Sequence, residues 1–211
     1  MAITSLVLGC LGFFTCGLTA LFGLVFGIIA LVKVKGSGGT LKGDGLALSG
    51  IIVSAAFLLM IPIFAALLLP VLAAAKDRAQ EINCISNEHQ LAVAVIVYES
   101  NNSGHLPPAA TWCDAIQSSV TTNAFRCAAA KTSHECDYAF NASLGGLDSS
   151  KISPQTVMIF ESDAGWNASG GPELLASPAR HRHGHDTTVA FADGSVREIS
   201  QSELGTLRWN P

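Results

Sequence analysis

Two long apolar segments dominate the first seventy-five residues of the chain. The second segment runs from Leu46 to Ala75 without a charged residue and then continues into an amphipathic stretch that opens with Lys76 and Asp77. Apolar residues recur there at helical spacing, which is typical of a helix with one buried face; they are Ile82, Ile85, Ala92 and Ile96. The pattern predicts one continuous helix that reaches to about residue 99.

The length of the second apolar segment points to a membrane. At about 1.5 Å per residue it would be roughly 45 Å long, whereas the hydrocarbon core of a bilayer is about 30 Å thick. We therefore expect the helix to cross the lipid bilayer, to extend out of it and to pack against a folded head. The first segment, Ile3 to Val32, predicts another transmembrane helix, and its Gly23–Gly27 pair would let the second span approach closely as a hairpin.

The charges between the two spans predict an orientation. Lys33, Lys35 and Lys42 lie in a short glycine-rich turn, and the positive-inside rule places such a turn in the cytoplasm. The N-terminus and the head would then lie on the outer side of the cytoplasmic (inner) membrane, facing the periplasm or the outside. The chain is 49% hydrophobic and 13% charged with a net charge of −4, so its electrostatics give no case for nucleic-acid binding.

The remainder of the chain predicts an α+β head. The long helix should end near Tyr98 or Glu99, because Asn101–Gly104 and the following prolines are strong stop signals. Two alternating runs joined by Asp193–Gly194 predict a β-hairpin. The other predicted elements are a short helix over 111–120, strands over 137–141 and 156–160, and a long loop over 161–182. We therefore expect an anchor over residues 1–63 and a head over 64–211, with the long helix packed on a small antiparallel sheet of three or four strands.

Four cysteines lie in the predicted head, where an oxidising compartment would permit disulfides. They are Cys84, Cys113, Cys127 and Cys136. Four cysteines allow three pairings, and the sequence does not choose among them. A zinc site is the competing interpretation, but the spacing of Cys127, His134 and Cys136 fits no compact zinc motif.

Two sets of polar residues are candidates for metal binding. Alternating histidines at His183 and His185 would face the same side of a strand, where zinc or nickel could bind. Carboxylates at strand ends could instead converge on calcium, which prefers oxygen ligands; they are Glu161, Asp163, Asp186 and Asp193. A purely structural role for each of these residues is the alternative.

No pattern indicates an enzyme. The chain has no Gly-x-Ser-x-Gly motif, no Cys–His pair at a familiar spacing and no phosphate-binding glycine-rich loop. Among the tryptophans, Trp112 is expected in the core, whereas Trp166, in a glycine-rich loop, is the better candidate for recognition of a partner.

Several stretches together resemble type IV pilin-like proteins, and more closely the type II secretion pseudopilin G-like proteins. They are the run from Ala65 to Ala79, then Cys84, Asn87, Tyr98, the segment 102–108, Phe125–Cys127, Tyr138–Asn141 and a terminal His183-x9-Asp193-Gly194 pattern. The resemblance covers roughly residues 64–200. It implies a pilin-like α+β head, a non-enzymatic structural or interaction role, and partners that are other pseudopilins or a second copy of this chain. Related pseudopilins often hold calcium in a C-terminal loop.

The chain departs from pilins at the start of the long helix. Counting back from Pro70, the glycine of a prepilin peptidase site would fall at Leu48 and the conserved pilin glutamate at Val53. Residues 1–60 instead resemble a small two-helix membrane domain of unknown function. We therefore expect a pilin-like head fused to a different anchor, for which assembly into an ordinary filament is not expected.

Overall fold

The computed structural model describes residue 7 and residues 18–36, 44–130, 134–176, 182 and 186–211. The chain divides into two compact units, Met1–Ala73 and Ala74–Pro211. The fold is α+β, as predicted, with a long apolar helix and a five-stranded mixed sheet.

Two helices occupy most of the N-terminal half. Helix α1 spans Leu18–Gly36, and its small residues Gly23, Gly27 and Ala30 are buried. Helix α2 spans Asp44–Asn101 and continues through Pro62 and Pro70. The predicted hairpin between the two apolar segments stays a prediction, because residues 8–17 and 37–43 lie outside the described residues.

Helix α2 is long and apolar enough to cross a membrane by length and composition. The side chains of its apolar part are exposed in the isolated chain; Leu59 and Leu72, for example, are 68% and 67% exposed. Surface of this kind is costly in water, because about 25 cal/mol is lost for each Å² of apolar surface left hydrated. The helix ends at Asn101, two residues beyond the predicted end at Glu99.

The head contains one sheet with strand order β3-β1-β2-β4-β5. Its strands are β1 Tyr138–Asn141, β2 Val157–Glu161, β3 Ser169–Gly170, β4 Asp186–Phe191 and β5 Val196–Ser200. The hairpin β4–β5 turns at Asp193–Gly194, as expected, with Gly194 at a φ of 81°. A short helix α3, Trp112–Ile116, is briefer than the predicted helix over 111–120.

The sheet corrects two expectations. It is mixed rather than antiparallel, because β3 runs parallel to β1. The segment 161–182 is not a plain loop, since β3 and a 3₁₀ helix at Pro172–Ala176 lie within it. Strand β3 is only two residues long and has no periodicity of its own, so it forms through pairing with β1.

Both faces of the sheet are covered. Tyr138 and Phe140 of β1 join the core that includes α2 and Trp112, whereas Ala139 between them faces a second core. Chain-terminal residues close that second face, where Trp209 packs edge-on against Phe160 with ring centroids 5.0 Å apart. The three central strands are extensively buried as a result, with β1 and β2 buried at every position and β4 at all but its first.

The buried face of α2 agrees with the predicted one only in part. Ala92 is fully buried as predicted, and Ile85 and Ile96 are half-buried, but Ile82 is 54% exposed. The centre of the face within the head follows Cys84, Glu88, Leu91 and Val95, each 0% exposed. The spacing is helical, as predicted, but one of these positions is a carboxyl group. A search for apolar residues alone would leave Glu88 out of the buried face of α2. In the structure Glu88 lies on that face and accepts a hydrogen bond from β4.

Candidate functional site

A cluster of buried polar side chains lies between α2 and the sheet. We call it the buried acid cluster; it consists of Glu88, Tyr138, Glu161, Thr187 and Thr188. Each is at most 2% exposed. The cluster arises because α2 brings Glu88 to the edge of β4, and β2 ends at Glu161 beside the same strand.

Glu161 and Glu88 bind adjacent parts of β4. Oε2 of Glu161 accepts hydrogen bonds from Oγ1 of Thr187 at 3.1 Å and from the backbone N–H of Thr188 at 3.3 Å. Oε1 of Glu88 accepts one from the backbone N–H of Ala190 at 2.9 Å. The two carboxyl groups therefore bind β4 near its start and near its end.

The second oxygen of Glu88 is poorly satisfied. Among the described residues, neither Oε2 of Glu88 nor Oγ1 of Thr188 has a hydrogen bond of good geometry. Burial raises the pKa of Glu88 well above its usual value, and this is the largest effect. The nearby Thr188 hydroxyl lowers the pKa by less. A protonated Glu88 would donate to the Thr188 hydroxyl and so satisfy both groups.

Tyr138 closes the cluster toward the disulfide-bonded part of α2. Its hydroxyl donates to the backbone carbonyl of Cys84 at 3.1 Å. Burial raises the pKa of the Tyr138 phenol well above its usual value, and the neighbouring Glu88 and Glu161 carboxyls add to the shift. All members of the cluster are buried, so its hydrogen bonds join α2 to the sheet inside the head.

The predicted disulfide candidates fall into two pairs. Cys84 and Cys127 form a disulfide with a Cα–Cα distance of 4.8 Å. Cys113 and Cys136 are buried free thiols. The sequence left the pairing open, and the fold joins Cys84 to Cys127 by bringing the loop before β1 against α2.

Arg182 joins a second buried polar group at the end of β2. Its side chain is 5% exposed and forms an ion pair with Asp163. It also donates to the backbone carbonyl of Asp137 at 3.0 Å and to that of Ser162 at 3.1 Å. Asp137, itself fully buried, accepts from the backbone N–H of Cys127 at 2.9 Å and pairs with Arg126 at 3.2 Å.

The predicted metal ligands are placed apart where the structure describes them. Asp163 pairs with Arg182, Asp186 begins β4 opposite Ser200, and Asp193 accepts from the backbone N–H and hydroxyl of Ser195 in its own turn. His183 and His185 lie outside the described residues. The calcium site and the histidine site stay predictions.

Glu161 takes part in a different constellation. Within the described part of the chain, the set of three potential metal ligands whose donor atoms lie within 4.8 Å of one another is Cys84, Cys127 and Glu161. The two sulfurs are joined in the disulfide, so they are not thiolates. The arrangement is therefore a covalent link beside a buried carboxyl group.

Sequence reasoning missed Glu88, Asp137 and Arg182 as buried polar residues. The one available signal was the spacing Cys84, Glu88, Leu91 and Val95, which places an acid on a helical face of apolar residues. For Asp137 and Arg182 the sequence offers no comparable signal, because their contacts join segments far apart in the chain.

An open groove lies on the surface of the head near Trp166. Its volume is about 550 Å³, and its lining residues are Asp114, Gln117, Thr122, Asn123, Arg126, Glu135 and Trp166. Asp114 accepts hydrogen bonds from the indole of Trp166 at 2.8 Å and from the amide of Asn167 at 2.6 Å. Both bonds lower the pKa of Asp114, and the bond from the Trp166 indole has the larger effect. The Asp114 carboxylate in the groove is therefore anionic.

Comparison with known protein families gives a match for the N-terminal part of the chain. The sequence model of a domain of unknown function (DUF4190) matches residues 1–64, nearly the residues predicted as the anchor. No curated protein and no solved structure matches the chain. The resemblance of residues 64–200 to pilin-like heads is therefore not tested by these comparisons and stays a proposal.

Proposed function

We propose that the protein is a membrane-anchored, pseudopilin-like component with a non-enzymatic structural or interaction role. The observation that carries the proposal is the single helix α2. Its first part exposes apolar side chains such as Leu59 and Leu72, while its last part supplies Cys84, Leu91 and Val95 to the core of the head. A helix that is apolar on all sides and then amphipathic suits a lipid anchor followed by a soluble domain.

The anchor of this proposal is a transmembrane hairpin. The buried small-residue face of α1, with Gly23, Gly27 and Ala30, is consistent with close helix packing, and the matched domain covers the same part of the chain. The lysines of the connecting turn orient the head toward the periplasm or the outside.

The partners in this proposal are other pseudopilins or a second copy of the chain, close to a type II secretion or pilus-like assembly. The apolar part of α2 would pack against their spans, and the head would supply selectivity. Because Leu48 and Val53 replace the peptidase-site glycine and the pilin glutamate, the protein would act beside a filament without being processed into it.

Copurification tests the role as an interaction component. Full-length protein carrying an affinity tag is isolated from detergent-solubilised membranes, and co-isolated pseudopilins or differently tagged second copies are detected. Leu59→Ser and Leu67→Ser change side chains that are 68% and 64% exposed on α2; they are expected to reduce recovery of the partner about tenfold or more while the protein stays in the membrane fraction. The exposed head variant Gln201→Ser serves as the control. Unchanged recovery in both α2 variants would contradict packing through the span.

The surface groove favours a second candidate function, ligand binding on the outer face with the head as scaffold. Trp166 offers an aromatic wall, and Asp114, Arg126 and Glu135 offer charges. Ligand entry would change tryptophan fluorescence of the full chain, and Trp166→Phe would remove that change. A metal-dependent version of this function requires stoichiometric zinc or nickel retained after purification and lost in His183→Ala or His185→Ala.

A further inference from the structure

The two free cysteines of the head lie side by side in its core. Cys113 belongs to α3 and Cys136 precedes β1, and both are 0% exposed. Their sulfurs are 3.8 Å apart, with the Cys113 thiol directed at the Cys136 sulfur. A disulfide bond is about 2.05 Å long, so the two sulfurs need to approach by only about 1.7 Å.

These cysteines are tied to the walls of the groove. The backbone N–H of Cys113 donates to Oδ1 of Asn167 at 2.8 Å, and the backbone N–H of Asn167 donates to the Cys113 sulfur at 3.3 Å. Asp114 follows Cys113 in the chain, and Glu135 precedes Cys136. Both Asp114 and Glu135 line the groove. A bond between the sulfurs would therefore link the two chain segments that bring Asp114 and Glu135 to the groove.

We propose that Cys113 and Cys136 form a second disulfide in the head and that this bond fixes the two segments that bring Asp114 and Glu135 to the groove. The proposal rests on the proposed function in one respect, the location of the head in an oxidising compartment. It assigns to each cysteine of the head a definite partner, Cys84 with Cys127 and Cys113 with Cys136.

The reaction is a thiol–disulfide exchange with a disulfide-bearing oxidant, such as a protein oxidoreductase. One head thiolate attacks the oxidant's disulfide and releases its first thiol, and the other head thiolate then displaces the second. The two head thiols lose two electrons and two protons, and the oxidant's disulfide gains them as a dithiol. In the folded, reduced head the hydrogen bond to Cys136 and burial raise the pKa of the Cys113 thiol, so exchange is expected while the head is still folding and accessible.

The test maps the oxidation state of all four head cysteines in the full-length protein. Cells are quenched with acid, the protein is denatured, free thiols are alkylated without reductant, and peptides are analysed by mass spectrometry. Cleavage with both trypsin and a glutamate-specific protease is needed. No Lys or Arg lies between Cys84 and Cys113, so trypsin alone leaves them in one peptide, whereas cleavage at Glu88 and Glu99 separates them. The expected result is a linked Cys113–Cys136 peptide pair beside the Cys84–Cys127 pair.

The outcomes separate the two ideas. Alkylated Cys113 and Cys136 beside an intact Cys84–Cys127 bond would overturn the second disulfide and leave the location of the head standing. Alkylation of all four would overturn both the disulfide and the oxidising location. In Cys113→Ser, Cys136 is expected to become alkylated without reductant, whereas continued protection of Cys136 would show that it pairs elsewhere and overturn the assignment.

The effect on the groove is measured by amide hydrogen exchange. Around Glu135 and Asn167, the oxidised full chain is expected to exchange more slowly than the double variant Cys113→Ala with Cys136→Ala. Equal exchange at these amides, with the disulfide present, would contradict its role in fixing the groove.

Discussion

Glu88 is a carboxyl group held out of contact with water. It is fully buried on α2, one oxygen binds the backbone of β4, and the other faces Thr188 without a good hydrogen bond. Arg182 and Asp137 pose the same problem at the end of β2 and solve it with ion pairs and backbone carbonyls. Such polar groups cost free energy unless they are satisfied, so they act as strict geometric requirements on the packing of the head.

Replacing Glu88 with glutamine should stabilise the head at neutral and alkaline pH. Burial raises the pKa of Glu88 in the folded state, so the contribution of its protonation to stability is fully present below the unfolded pKa and is lost as the pH rises through the folded pKa. A neutral amide keeps the bond to Ala190 and can donate to Thr188. We expect a gain of about 1–3 kcal/mol in the free energy of unfolding at pH 8, shrinking toward pH 4.

Chemical denaturation of the full chain in detergent across this pH range checks the prediction, with exposed Glu135→Gln as the control. A Glu88→Gln protein that is less stable than the wild type at pH 8, or a difference that does not depend on pH, would contradict it.

Removal of Arg182 should destabilise the head strongly. Its side chain is 5% exposed and faces Asp137 and Asp163, so Arg182→Ala removes the cation beside these two carboxylates and the side-chain donor to the Ser162 carbonyl. We expect a loss of about 3 kcal/mol or more. The matched control is Arg208→Ala, because Arg208 is exposed and its side chain donates to the backbone carbonyls of Asn210 and Pro211. This variant should cost less than about 0.5 kcal/mol. Equal losses in the two variants would refute the buried role of Arg182.

At the scale of elements, local signals predicted the parts of the fold that local chemistry controls. The Asp193–Gly194 turn predicts its hairpin because few residues other than glycine accept the backbone conformation of that turn. Strand β3 and the register of the buried face of α2 depend on contacts with distant segments, which no local pattern contains. The same limit applies to the buried acid cluster, whose members come from α2, β1, β2 and β4.

Gly194→Ala tests how the hairpin depends on this turn. Gly194 has a φ of 81°, and an added Cβ would lie 2.9 Å from Cδ1 of Ile96. We expect a loss of about 1–2 kcal/mol in stability, because the left-handed conformation disfavours alanine. Gly146→Ala, with a φ of 71° and open space around its Cβ, should lose about 1 kcal/mol, and Gly205→Ala, also in open space, almost nothing.

Thermal denaturation of the three glycine variants ranks them. If Gly194→Ala were as stable as Gly205→Ala, the turn would not require glycine and the account of the hairpin would be wrong.

At the scale of the whole molecule, the chain combines a matched N-terminal domain over residues 1–64 with an α+β head. Composition and length were sufficient to predict the long apolar helix, because a span of lipid requires little more than a run of apolar residues. Orientation and partners depend on surfaces and on a membrane that lie outside the chain itself. They therefore belong to the proposal, whose central claim is that α2 carries the head across to the outer face.

The most direct test of that claim is labelling with a membrane-impermeant maleimide in intact spheroplasts. Gln201→Cys adds an exposed thiol to the head, and the native protein is the control because its described cysteines are buried or disulfide-bonded. A cysteine at Ser37, in the turn predicted to be cytoplasmic, is the reciprocal reporter. We predict that Gln201→Cys is labelled in intact spheroplasts and that Ser37→Cys is labelled only after lysis. Labelling of Ser37→Cys in intact spheroplasts, with Gln201→Cys protected until lysis, would place the head in the cytoplasm and contradict the account.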